Sequence, residues 1–173
     1  MRLVVALVAL FGTPCLAQAE QFGSVSAVLD GEQQDWFTIS DGAGENMAAS
    51  ASFRKGKTLS DLSIQAHPQP RFSSKSVLSI SVSFLGEYEA GKAPMTTELI
   101  YLTDGMRKPF YTSEGVTDAM SVDIELLEAE DSIGTVKGTF KSKVCLVKEL
   151  YADPDLDVCK DISGSFDTQI QIR

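Results

Sequence analysis

Residues 78–84 read Leu78-Ser79-Ile80-Ser81-Val82-Ser83-Phe84. Leu78, Ile80, Val82 and Phe84 fall on one side of an extended chain, and the three serines fall on the other. A helix would scatter these residues around its axis; a half-buried strand segregates them. The serine face is polar but uncharged, which suits a surface partly covered by a loop.

The same period of two extends outward from this stretch. Upstream, Phe22 to Leu29 reads as a first strand, Asp30-Gly31-Glu32-Gln33 as a turn and Asp35 to Ile39 as the returning strand, because Asp-Gly favours positive φ. Asp41 to Asn46 is a loop, Met47 to Phe53 a weaker alanine-rich strand, and Leu62 to Ala66 a short one that stops at His67-Pro68-Gln69-Pro70. Downstream, Thr96 to Thr103 is a strong strand, Asp104-Gly105 turns the chain toward Phe110-Tyr111, and Ser121 to Leu126 alternates with its acids outward. Glu125 to Asp131 has helical composition but is too short to form a helix unaided.

The final two strands, Gly134 to Val147 and Cys159 to Ile172, are expected to pair as an antiparallel hairpin around a disulfide. With Cys145 opposite Cys159, Lys143 faces Asp161 and Lys137 faces Asp167, which gives two cross-strand pairs of opposite charge. In the same register Phe140 meets Gly164 and Gly138 meets Phe166, each ring covering a glycine. These strands predict an all-β fold: an antiparallel β-sandwich of about nine or ten strands, with a closed β-barrel as the alternative.

Residues 1–19 read as a cleavable signal peptide. Arg2 is a minimal positive start, Leu3 to Phe11 an apolar run, Gly12 to Pro14 a breaker, and Ala17-Gln18-Ala19 a small-residue cleavage site. The apolar run is shorter than the roughly 20 residues that a spanning helix needs. Cys15 follows Pro14, which does not suit lipidation, so it is read as lost with the leader. Such a leader suits bacterial export, to the periplasm first and to the outside second. Removal of 19 residues from 173 leaves 154, a length that fits one β domain over 20–173.

Arg2 is the only charge in the leader, so cleavage takes the net charge from −9 to −10. An acidic surface repels phosphate backbones, which argues against nucleic-acid partners. After cleavage no segment is expected to span a membrane. An outer-membrane barrel fits poorly, since Asp123 and Glu125 would face lipid. In an oxidising compartment Cys145 and Cys159 read as a disulfide, and a loop of about 15 residues closed in this way stabilises by about 3 kcal/mol.

Motifs that carry chemistry are few. His67 is the single histidine and reads as an exposed turn residue; without a G-x-S-x-G elbow it lacks the setting of a triad base. Asp123 and Glu125 share a strand face about 7 Å apart, a spacing that acid–base work allows and a solvated face explains equally well. Asp153, Asp155 and Asp157 form a weak calcium pattern, with Val158 where an EF-hand places Gly and Gly164 where it places Glu. Trp36 and Phe37 point to opposite faces, one to the core and one outward, while Tyr88, Tyr111 and Tyr151 read as loop-side aromatics. No catalytic residue and no cofactor is assigned.

The expected function is a non-catalytic binding or interaction module that takes a protein or small-molecule partner. The alternative is a soluble barrel carrying a small apolar or neutral ligand in its interior. A hydrolase ranks third, because no nucleophile motif or metal cluster stands out.

Overall fold

The computed structural model describes residues 19–173 apart from Met106, Lys108 and Asp118. The expected signal peptide lies outside these residues except for Ala19.

Eleven strands follow one another: β1 (Glu20–Leu29), β2 (Glu32–Asp41), β3 (Ala48–Ala49), β4 (Ala51–Arg54), β5 (Leu59–Ala66), β6 (Lys75–Leu85), β7 (Thr96–Asp104), β8 (Phe110–Thr112), β9 (Met120–Glu128), β10 (Ile133–Val147) and β11 (Asp155–Ile172). A single 3₁₀ turn at Gly44–Asn46 is the only helical element among the described residues. The chain is all-β, as its alternation predicts. Segment 125–128, of helical composition, completes β9, because pairing with β10 outweighs a weak local propensity.

The extra strand comes from a break in Met47–Phe53. β3 pairs with β2, and β4 pairs with β5. Between them, Ser50 donates its N–H to the Ile39 carbonyl, accepts the Ile39 N–H on Oγ, and offers its own carbonyl to Gln65. The chain thus changes partners at one residue. β11 changes partners as well. It pairs with β1 through Ile162–Thr168 and then with β4 at Gln171 and Ile172. The β11–β4 pairing is parallel, so the sheet is mixed where an antiparallel one was expected.

Hydrogen bonding runs around a ring of β11, β4, β5, β6, β7, β8 and β10, and β10 returns to β11. Both a sandwich and a barrel are consistent with that ring. Its inside is filled by one cluster drawn from strands between β1 and β11, including Leu78, Ile80, Val82, Phe84, Phe140 and Phe166. On the other face of β6, β7, β8 and β10, Val77, Leu102, Phe110 and Val147 form a second buried cluster.

The hairpin of β10 and β11 has the register that the sequence implies. Cys145 is opposite Cys159, Lys143 opposite Asp161, Phe140 opposite Gly164, Gly138 opposite Phe166 and Lys137 opposite Asp167. The Lys137 ammonium reaches Asp167 at 2.7 Å, and the cysteines form the disulfide. One detail differs. Phe166 does cover Gly138, where an added Cβ would meet its ring at 2.7 Å, but at Gly164 the close neighbour is β1, with the Ser26 carbonyl at 2.2 Å. That glycine admits a strand instead of a ring.

The first turn is tighter than expected. Only Asp30 and Gly31 lie in it, both at positive φ, which is the two-residue geometry that matches strand twist.

Candidate functional site

Strand directions place the connections at two ends. The β10–β11 connection gathers at one end with the β1–β2 turn and the β5–β6 loop. The β4–β5 turn, the β6–β7 loop and the β9–β10 turn gather at the other.

The first end is dominated by the loop that the disulfide closes. Asp155 opens β11 opposite Leu146, and a break in register then leaves residues 156–158 bulging before Cys159 meets Cys145. The neck is tied by an ion pair from Lys148 Nζ to Asp155 at 2.7 Å. The Lys148 hydrogen bond, aided by the Asp157 N–H, holds the Asp155 carboxyl below the usual carboxylate range. A Cβ added at Gly115 in the neighbouring loop would lie 3.4 Å from the Pro154 ring. Beyond this neck the loop turns apolar side chains outward. Nine large hydrophobic side chains are exposed among the described residues, and four of them are Leu150, Tyr151, Leu156 and Val158. Tyr151 is 97% exposed and holds φ at +69°, a left-handed backbone that an aromatic residue rarely adopts.

The three aspartates of the calcium pattern sit in this same loop. Asp155 is engaged by Lys148. Among the described residues no three His, Cys, Asp or Glu side chains converge on a point where a metal ion could sit.

His67 is not an exposed turn residue. It is 1% exposed, because its backbone exchanges two hydrogen bonds with Phe37 of β2, at 2.7 and 2.8 Å. Its Nδ1 lies 3.1 Å from the Ser73 carbonyl and 3.2 Å from the Ser73 N–H. Burial lowers its pKa, and the Ser73 carbonyl opposes that only in part. This imidazole is therefore built into the structure as a neutral group.

Asp123 and Glu125 are both exposed on β9. Between Ile124 and Leu126 the pairing with β10 slips by one residue and leaves Glu125 unmatched. This bulge moves Leu127, instead of Leu126, onto the core-facing side.

Trp36 is the core member of the Trp36–Phe37 pair, and its Nε1 donates to the Ser76 carbonyl at 2.8 Å. Two of the three tyrosines read as loop-side pack inward. Tyr111 lies on β8, half-buried, with the Lys160 ammonium 5.5 Å from its ring centre. Tyr88 packs edge-on against Phe84 at 4.9 Å and against Phe53 at 6.1 Å. Only Tyr151 stands clear.

At the opposite end is a cleft of about 400 Å³ that sequence reasoning missed. Phe53, Tyr88, Leu127 and Ala129 supply its apolar lining, and Lys55, Lys57, Glu87 and Glu130 its charges. Three segments distant in sequence build it, and each is unremarkable in isolation. Ser60 fastens two of them, since its Oγ receives the Gly56 N–H at 3.3 Å and donates to the Gly86 carbonyl at 2.8 Å. The Gly86 N–H also bonds the Thr58 carbonyl, and Lys92 Nζ bonds the Glu87 carbonyl.

Comparison with known proteins found no matching family model, no matching curated protein and no matching solved structure.

Proposed function

We propose that this protein is an exported, non-catalytic interaction module whose contact element is the loop between Cys145 and Cys159. The observation that carries the reading is Tyr151, a bulky aromatic held in a left-handed conformation and almost wholly exposed. Both features cost stability, and strain of this kind tends to persist where a contact needs it. Leu150, Leu156 and Val158 enlarge the apolar surface around it. Glu149, Asp153 and Asp157 add negative charge, so the partner that fits is a protein offering an apolar pocket with a basic rim. The disulfide limits the ordering entropy that binding would otherwise cost.

A carrier ranks second. Its ligand would occupy the inside of the ring, and that space is taken by packed Leu, Ile, Val and Phe side chains.

The test is photocrosslinking in the exporting cell, with Tyr151 replaced by benzoylphenylalanine and the same replacement at exposed Thr139 on β10 as control. The expected result is a discrete adduct from position 151 alone, lost when a disulfide-closed peptide of residues 145–159 is added in excess. Equal adducts from both positions, or no adduct from position 151, would end the reading.

A further inference from the structure

We infer that the cleft at the end opposite the disulfide loop is a second binding site, for a small zwitterion with an apolar side chain such as a free dipeptide. The inference does not depend on the loop reading. It rests on three observations about the cleft.

The first is size. About 400 Å³ lies at the low end of the roughly 300–1,000 Å³ typical of small-molecule pockets. The second is rigidity. Ser60 clamps the β4–β5 turn to the β6–β7 loop, and Lys92 pins the loop carbonyl of Glu87. The Tyr88 ring is wedged between Phe84 and Phe53. A Cβ at Gly56 would meet the Leu59 carbonyl at 2.1 Å, and one at Gly134 would meet the Glu128 carbonyl at 2.0 Å. The turns around the cleft are therefore drawn tight by glycines, and little ordering is left for a ligand to impose.

The third is chemistry. The apolar lining of Phe53, Tyr88, Leu127 and Ala129 suits a hydrocarbon side chain. Two ammonium groups, of Lys55 and Lys57, come from one turn, and two carboxylates, of Glu87 and Glu130, come from separate loops. Among the described residues none of these four is held in an ion pair within 4.0 Å. Both signs of charge beside an apolar lining match a molecule that carries a carboxylate, an ammonium and an apolar group together. A purely apolar ligand would use none of the charges, and a simple anion would meet two carboxylates as well as two lysines.

Titration calorimetry with leucyl-phenylalanine on the purified exported protein tests this. The controls are the same dipeptide acetylated and amidated, and octanoate. The free dipeptide is expected to bind with a Kd below about 1 mM, and both controls about tenfold more weakly or worse. Lys57→Gln and Glu130→Gln, both at exposed positions, should each weaken the free dipeptide and leave the melting temperature unchanged. Tyr151→Gly should leave dipeptide binding intact, which separates this site from the loop. Equal affinity for free and blocked dipeptide, octanoate binding as well as the dipeptide, or no heat at millimolar dipeptide would overturn the inference.

Discussion

At the scale of single residues, two side chains sit where ordinary stability would not put them. His67 is buried and neutral, with its pKa below the usual 6.5. Once the pH drops below that value, the unfolded chain takes up a proton that the folded chain refuses, so stability is complete above about pH 6.5 and declines on acidification. Glu98 works with the opposite sign. Burial, and then the nearby Glu114, raise its pKa, so its contribution is lost as pH rises and recovers on acidification. Comparison with His67→Gln isolates the histidine. The urea midpoint of the wild type, followed by Trp36 fluorescence, should fall more steeply from about pH 7 to about pH 5 than that of His67→Gln. Tyr151 is the other case. Tyr151→Gly removes the left-handed penalty and should stabilise by up to about 1 kcal/mol, while binding of the partner identified by crosslinking is lost. A gain in melting temperature with partner binding unchanged would show that the ring is not a contact. The burial of His67 was not legible from its neighbours in sequence, because it comes from pairing with Phe37, thirty positions away. The loop-side position of Tyr151 was legible, but not its left-handed backbone.

At the scale of elements, legibility followed distance along the chain. Alternation marked most of the strands, though not the separate β3 and β4, and the β10–β11 register could be read because three constraints agreed: the cysteines, the charge pairs and the Gly–Phe crossings. Nothing comparable announced the parallel contact of β11 with β4, which lie more than 100 residues apart, or the division at Ser50 and the slip at Glu125, which occur between near neighbours but interrupt a strand without any break in its composition. The Gly138 crossing gives a sharp test. An added Cβ there would meet the Asp123 carbonyl at 2.3 Å as well as the Phe166 ring, and backbone cannot yield cheaply. Gly138→Ala should cost about 1–3 kcal/mol, against almost nothing for Thr139→Ala on the exposed face. A Gly138→Ala protein with unchanged urea midpoint would mean that β9 and β10 are more loosely held than described.

At the scale of the whole molecule, the ring is closed by β11, and the disulfide ties its beginning to β10. The bridge spans 14 positions, and a loop of that size contributes about 3 kcal/mol by restricting the unfolded chain. Replacing both cysteines with serine should lower stability by about that amount and preserve the far-ultraviolet signature of strands, because the ring's hydrogen bonds and core lie elsewhere. The same variant should weaken partner crosslinking at position 151 more than dipeptide binding at the other end.

The position of β11 has a consequence for how the protein is made. It is the last of the eleven strands, yet β1, β4 and β10 all pair with it. An emerging chain can form the β1–β2 hairpin and the β5–β6–β7 meander early, but the second edge of β1 waits for a partner some 140 residues downstream. Until β11 is present, the apolar faces of β1, β4 and β10 lack their common neighbour. A chain built in this order stays incompletely folded until β11 has been made, a state that suits passage through a narrow channel if the protein is exported as proposed above.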